Sequence, residues 1–520
     1  MLQRLVIALT VFIGLVGATV VAGYLTLFAV GTDRAARAVP ADALAYATVY
    51  LQPSTGQKMN LALLLGHVPG FSDAANLDLK IHEIAARFLG QAGIDYEADV
   101  RPWIGNQLSI AVRPGSGDLT MPSPSLLAAV KDQAAAESGM VAIAAGRGLV
   151  GVKDTYRGTT ITVADGLAWA VLEDLLIATT DRPSLEAALD AEANARPSLA
   201  DDAGYAAAMR RLPPDHLASA YLNLAAAAAQ AGAPAAVGGY STVSAALLAE
   251  PDGLRLDAVA PFDGSAASAE ERADFAAGSE PSTLAEWLPS ATQASAVAFD
   301  VQRAAILAED VLGSQPQAQG TIDTLNQLRA LAAFGLGINL DTDLLGLFSS
   351  EAAIGVSDIL TDAPHGQLLL RPADAAAATA TLAHVRDAIG GRGGQVSESE
   401  AAGLTITTVA VPQVGTVSWT AADGAILAGL TPEDVSAALA AHASGQTVAA
   451  SERYRSVWEL AGDRAGNEAF VDIGAIVDAS GDALGTNGDA RDILLTVGAL
   501  GLTAPARDGN TEVHIALTVR

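Results

Sequence analysis

The spacing most suggestive of chemistry lies in two short acidic segments, Asp95-x-Glu97-x-Asp99 and, much later, Asn339-x-Asp341-x-Asp343. Carboxylates at alternate positions supply the hard oxygen ligands that calcium takes in numbers. Neither copy carries the glycine and terminal glutamate of an EF-hand loop. Acids at the start of a helix also offset its dipole, so helix capping is the competing reading for both. Paired acids occur at Glu173-Asp174, Asp201-Asp202 and Glu433-Asp434. Glycoside hydrolysis needs two facing carboxyl groups, but sequence neighbours in a strand point to opposite faces, which favours turn and cap roles.

Other constellations are thinner. Gly146-Arg147-Gly148-Leu149-Val150-Gly151 matches the dinucleotide fingerprint in letters only, because Val152-Lys153-Asp154-Thr155-Tyr156 after it is not helix-like. A glycine turn between two elements is the expectation there. The seven histidines, His67, His82, His216, His365, His384, His442 and His514, have no metal-ligand spacing. The chain holds no G-x-S-x-G elbow, no phosphate-binding glycine loop and no S-x-x-K pair. No catalytic, cofactor-binding or metal residue is therefore assigned, and no cofactor is expected.

Composition narrows the partners. With 29 Lys and Arg against 58 Asp and Glu the net charge is −29, which excludes an electrostatic nucleic-acid footprint. The same charge is repelled by anionic lipid headgroups, so membrane attachment must be apolar and local. Leu5 to Val30 supplies it: 26 positions without a charge, more than the ~20 a helix needs to cross a bilayer. Ala36-Arg37-Ala38 fits a small-residue cleavage pattern loosely, but it lies well past the apolar run, behind Asp33 and Arg34, so an uncleaved anchor is expected. A short N-terminal tail with all the remaining mass behind the span is the arrangement of a signal-anchor, with the C-terminal part outside the cytoplasm. The absence of cysteine leaves redox compartment open.

The elements that must position these residues occur twice. Val39-Pro40 ahead of Ala45–Tyr50 answers Leu288-Pro289 ahead of Ala296–Phe299. Gly93–Val100 answers Gly337–Leu344, Gly158–Thr162 answers Gly403–Thr407, Trp169–Leu189 answers Trp419–Leu439, and Tyr205–Leu224 answers Tyr454–Ile473. The offset stays between 244 and 250 residues throughout. Trp169 and Trp419 coincide, as matching core positions would. Alternation in Leu254–Ala258 and Val513–Leu517 predicts half-buried strands. Ile81, Ile84, Ala85 and Phe88 have helical spacing, and alanine-rich runs after Asp374 and Pro432 predict helices started by an acid or a proline. Strand runs followed by helices, without strict βαβ alternation, indicate an α+β class with antiparallel sheet. The expected organisation is an anchor and short stalk over 1–38, a first α+β repeat over 39–262, a linker over 263–283 and a second repeat over 284–520.

Val39-Pro40-Ala41-Asp42 leading into Tyr46 and Tyr50, Gly93-Ile94-Asp95, and Asp99-Val100-Arg101-Pro102-Trp103-Ile104-Gly105 together resemble a bacterial family known as domain of unknown function 3352. The likeness runs on through Val130-Lys131-Asp132, Tyr156-Arg157-Gly158 and Trp169–Leu189. It implies an N-terminally anchored envelope protein with no assigned activity. The second half departs from it with Gly346-Leu347-Phe348-Ser349 in place of Pro102-Trp103-Ile104-Gly105.

The functional expectation is a cell-membrane protein acting as a non-catalytic binding or scaffold module, with a lipid or protein partner in the envelope. The alternatives are an apolar-ligand or lipid carrier, and an envelope hydrolase using dispersed carboxylates.

Overall fold

Antiparallel pairing builds everything that follows. The computed structural model describes residues 33–67, 94–115, 122–230, 238–302, 326–333 apart from 328 and 331, 337–361, 363–411, 415–462, 464–480 and 494–520. It divides into two units between Ala266 and Ala267.

In the first unit the strands are β1 (Ala45–Tyr50), β2 (Ile104–Arg113), β3 (Ser123–Val130), β4 (Val152–Tyr156), β5 (Thr159–Ala164), β6 (Leu167–Val171), β7 (Leu175–Thr179), β8 (Ala218–Asn223), β9 (Thr242–Glu250) and β10 (Gly253–Pro261). They pair in the order β4-β5-β6-β7-β3-β2-β1-β8-β9-β10, every neighbour antiparallel. Period-2 alternation sends Tyr46, Thr48 and Tyr50 of β1 to one face and Ala45, Ala47 and Val49 to the other. Helices 182–192 and 203–209 cover the first face, where Leu185, Leu189 and Tyr205 pack with Tyr46, Leu127, Ile177 and Tyr221. On the opposite face helix 133–146 brings Ala136 and Met140 against Trp103, Trp169, Leu176 and Ala178. Gly139 lets that helix close on Trp103, since a Cβ there would collide with the indole and with the Asp99 carbonyl.

The second unit contains β11 (Ala294–Phe299), β12 (Glu351–Ser357), β13 (His365–Arg371), β14 (Val396–Ala401), β15 (Leu404–Val411), β16 (Gly415–Ala422), β17 (Ala425–Gly429), β18 (Asn467–Val471), β19 (Val497–Ala504), the two-residue β20 (Ala506–Arg507) and β21 (Asn510–Val519). Their pairing order is β14-β15-β16-β17-β13-β12-β11-β18-β19-β21, again antiparallel. Registers match as well: Trp169 lies opposite Thr162 and Ala178, and Trp419 opposite Thr407 and Ala428. Both tryptophans are buried. The β4-β5 and β14-β15 hairpins turn on Arg157-Gly158 and Ala402-Gly403, where both residues hold positive φ, the twist that two-residue turns require. Helices 432–444 and 452–461 bury Val435, Leu439, Tyr454 and Val457 in the core with Leu288, Leu369 and Leu427. The mixed helix and antiparallel-sheet class is as the sequence predicts.

Two segments differ from their sequence description. Residues 33–38, read as anchor and stalk, are packed into the first unit, with Ala35, Ala36 and Ala38 at most 1% exposed. Residues 269–277, within the linker stretch, form a helix started by a capping box of Ser268 and Glu271. The Leu5–Val30 anchor and the Ile81–Phe88 helix lie outside the described residues, and among the described residues no helix is long and apolar enough to cross a membrane.

Candidate functional site

The two acidic segments each fold into a single helical turn, Tyr96–Val100 and Leu340–Leu344. In the first, Asp95 Oδ1 accepts from Ala98 N at 3.1 Å while Asp95 N donates to Asp99 Oδ2 at 3.3 Å. In the second, Asn339 Oδ1 accepts from Asp341 N at 3.0 Å while Asn339 N donates to Asp343 Oδ2 at 2.8 Å. In each turn the first residue's side chain accepts from an amide inside the turn and the last residue's carboxylate accepts from the first residue's amide, which explains why the outer positions of both triplets are Asp or Asn. The middle acids pair with arginines: Glu97 with Arg101 at 2.6 Å, and Asp341 with Arg329 at 2.8 Å. An open depression of about 400 Å³ adjoins the second turn, lined by Arg329, Ala333, Gly337, Ile338, Asn339, Leu340 and Asp341. Among the described residues no group of three or more His, Asp or Glu side chains converges as a metal site.

The paired acids are spent similarly. Asp174 binds Arg34, Asp201 closes a capping box with Ser198, Asp202 caps helix 203–209, and Asp434 closes a capping box with Thr431. Their neighbours Glu173 and Glu433 share no site with them.

A stronger cluster of titratable groups went unread in the sequence. Ahead of β1, Asp33 reaches into the sheet: its Oδ1 accepts from Tyr46 OH and from Gln107 Nε2, both at 2.6 Å, and its Oδ2 accepts from Tyr205 OH at 2.8 Å. Gln107 Nε2 also donates to Thr48 Oγ1 at 2.9 Å and Ser109 Oγ at 3.1 Å. Beside it, Arg34 forks between Asp174 at 2.7 Å and Glu192 at 2.6 Å. Burial, reinforced by Asp33, drives the Tyr46 and Tyr205 hydroxyls far above the usual phenol range, so both are donors at any ordinary pH. Hydrogen bonding to Arg34 holds the Asp174 carboxyl below the usual carboxylate range.

The second unit carries its acids on strands. Glu351 occupies the β12 position opposite Phe299, as Gln107 occupies the β2 position opposite Tyr50. Glu351 Oε1 accepts from Ser282 Oγ and Thr283 N, both at 2.8 Å, and from Leu284 N at 2.9 Å, while Oε2 accepts from Thr283 Oγ1 at 2.7 Å. Glu468 on β18 faces Val297 as Ser219 on β8 faces Thr48. Its Oε2 accepts from Arg464 Nε at 3.0 Å and Tyr454 OH at 3.3 Å, and its buried Oε1 has no hydrogen-bond partner. Burial pushes the Glu468 carboxyl up against the opposing pull of Arg464, and the charge of Glu351 adds to the rise. A signal existed in the sequence: single acids, Glu351 and Glu468, in otherwise apolar strand runs.

Two described imidazoles lie beside carboxylates, His514 with Nε2 3.2 Å from Glu512 Oε2 and His365 at closer range. His365 Nδ1 lies 2.8 Å from Asp434 Oδ1; the carboxylate is 2% exposed and the imidazole 50%. This is the base-and-orienter half of a nucleophilic constellation, but no described hydroxyl bonds His365. At the matching corner of the first unit, Ser123 Oγ meets Asp181 Oδ2 at 2.9 Å and Ser184 Oγ at 2.8 Å. Both arrangements knit the start of a strand to a helix N-terminus.

A family described as protein of unknown function (DUF3352) matches residues 5–519. The chain belongs to this family. That membership covers both units and brings no reaction with it. No curated protein matches. Among solved structures, crystal form III of TP0453 is 11% identical over 47% of this chain and 85% of that one, with a TM-score of 0.27. Crystal form I of TP0453 is 9% identical over 46% and 84%, with a TM-score of 0.26. A likeness that slight transfers neither fold nor function.

Proposed function

We propose that this chain is a tandem duplication of one α+β unit, held in the cell membrane by the Leu5–Val30 helix with both units outside the cytoplasm, and that it serves there as a non-catalytic binding or scaffold module. The matching strand order and registers support the duplication. One observation carries the non-catalytic reading. Of the paired acids, Asp174, Asp201, Asp202 and Asp434 are committed to an arginine or to helix caps, and the buried Glu351 and Glu468 bond groups of the chain itself. A carboxylate spent on donors of its own chain inside a core is not free to act on a substrate.

The absence of cysteine makes topology testable without background. Single Glu137→Cys and Asp508→Cys variants, at exposed or half-exposed positions, are expected to react with a membrane-impermeant maleimide in spheroplasts and not in sealed inside-out vesicles. The reverse pattern would refute the placement. Native mass spectrometry of the detergent-extracted full chain then tests the action: a stoichiometric protein partner is expected.

A second reading, binding of a lipid acyl chain, is favoured by a specific feature. On one sheet face in each unit an aliphatic cross-strand pair is open on one side, Ile110 with Leu126 and Ile354 with Leu368, where Leu126 is 39% and Ile354 49% exposed and their partners are half-buried. Extracted lipid at one per unit would favour it over the scaffold.

A further inference from the structure

The segment between the apolar run and β1 is bonded into the first unit as firmly as a strand. Asp33 accepts three side-chain hydrogen bonds from Tyr46, Gln107 and Tyr205, and Arg34 N donates to Gln107 Oε1 at 3.0 Å. The Arg34 guanidinium bridges Asp174 and Glu192, which stand on different parts of the unit, after β6 and in helix 182–192. Ala35, Ala36, Ala38 and Val39 follow, each at most 1% exposed. The second unit enters its sheet in the same manner: Ser282, Thr283 and Leu284 bond Glu351, and Leu284, Ala285 and Leu288 are buried. Where that second entry lies in mid-chain, no cleavage question arises, so the lock belongs to the unit itself and not to an incidental tail.

We infer that Asp33 and Arg34 form a fixed socket joining the apolar N-terminal run to the first unit, so that Ala36-Arg37-Ala38 is not a processing site and the chain leaves the membrane without a flexible stalk. A cut after Ala38 would strip the acid from Tyr46, Tyr205 and Gln107, the arginine from Asp174 and Glu192, and three alanines from the core. Any processing that leaves a folded first unit must fall before Asp33. The stalkless part rests on the reading of Leu5–Val30 as a membrane span. Three residue steps separate Val30 from Asp33, a reach of at most about 11 Å even fully extended. The corner formed by Asp33, Arg34, Asp174 and Glu192 is then held at the bilayer surface.

The test is N-terminal sequencing and intact mass of the full chain recovered from its own membranes, followed by limited proteolysis of the wild type and of an Asp33→Ala/Arg34→Ala variant. The expected mature chain retains residues 33–38, and cleavage of the 33–44 segment rises at least tenfold in the variant. A mature chain beginning at Val39, or wild-type protein nicked in that segment as readily as the variant, overturns the socket. Retained residues 33–38 in a chain that partitions to the soluble fraction would overturn the membrane placement while leaving the conclusion about the cut site standing.

Discussion

The two units answer one structural problem with opposite placements of the same charge. Each must fasten its entering segment to the middle of an antiparallel sheet. In the first, the acid is on the entering segment, Asp33, and the donors are Gln107 and Tyr46 on the sheet and Tyr205 in helix 203–209. In the second, the acid is on the sheet, Glu351, and the entering segment supplies two hydroxyls and two backbone amides. The helix caps behind β7 and β17 are reversed too: Asp181 caps with Ser184 three positions on, whereas Thr431 caps with Asp434. Donor and acceptor exchange ends and the bonds survive, because a hydrogen bond constrains the pair and not which partner carries the charge.

The comparison can be broken at its most buried point first. Glu351→Ala leaves four donors facing an empty space and is expected to cost about 3–5 kcal/mol, the scale for uncoupling a buried charged group. Asp33→Ala, at a half-exposed carboxylate, is expected to cost less, about 2–3 kcal/mol. Denaturant unfolding, with hydrogen exchange assigning the loss to a unit, measures both; a larger loss from Asp33→Ala would end the claim that burial ranks them.

The exchange itself can be imposed on the first unit. Gln107→Glu alone would set two carboxylates against each other where Gln107 Nε2 now sits 2.6 Å from Asp33. Adding Asp33→Ser, which copies the second unit, is expected to recover about 1–3 kcal/mol of the damage, read as the interaction energy of a double-mutant cycle. An additive cycle would mean the two arrangements are unrelated.

Two carboxylates, one in each unit, should respond to acid in opposite senses. Burial raises the Glu468 carboxyl above its ordinary value, so folding favours the neutral form. The contribution of Glu468 to the second unit is therefore fully present below the ordinary carboxylate range and is lost as pH rises through the raised value; Glu468→Gln should flatten that part of the slope in thermal melts taken from pH 4 to 8. Asp174, held low by hydrogen bonding to Arg34, behaves oppositely. Its contribution is present above the ordinary range and disappears as pH falls through the lowered value, a small effect because the carboxylate is largely exposed.

The smallest expected change is at the oriented imidazole. His365→Ala removes one bond to Asp434 and leaves the cap intact, for about 0.5 kcal/mol, while Thr431→Ala removes the cap for about 1 kcal/mol. Equal losses would place the imidazole, not the threonine, as the anchor of that helix.

Much of the fold was legible in the residues. The alternating strands at Leu254–Ala258 and Val513–Leu517, and the helix starts at Asp374 and Pro432, are local patterns, and local patterns survive in a one-dimensional string. The acidic triplets showed the opposite limit. Their repetition suggested ligands, yet spacing cannot say whether an oxygen turns outward to a cation or back to its own amide, and in both turns the outer residues turn back.

By itself the sequence determined which segments alternate, where chains of alanine begin a helix, and that the chain is strongly acidic. Only the tertiary structure decided that Asp33 and Arg34 are bonded into the first unit, and that Glu468 is buried with an oxygen unmatched. Asp33 alone reaches Tyr46, Gln107 and Tyr205 across 13, 74 and 172 positions. No period or propensity reaches across such distances; the pairing of strands does.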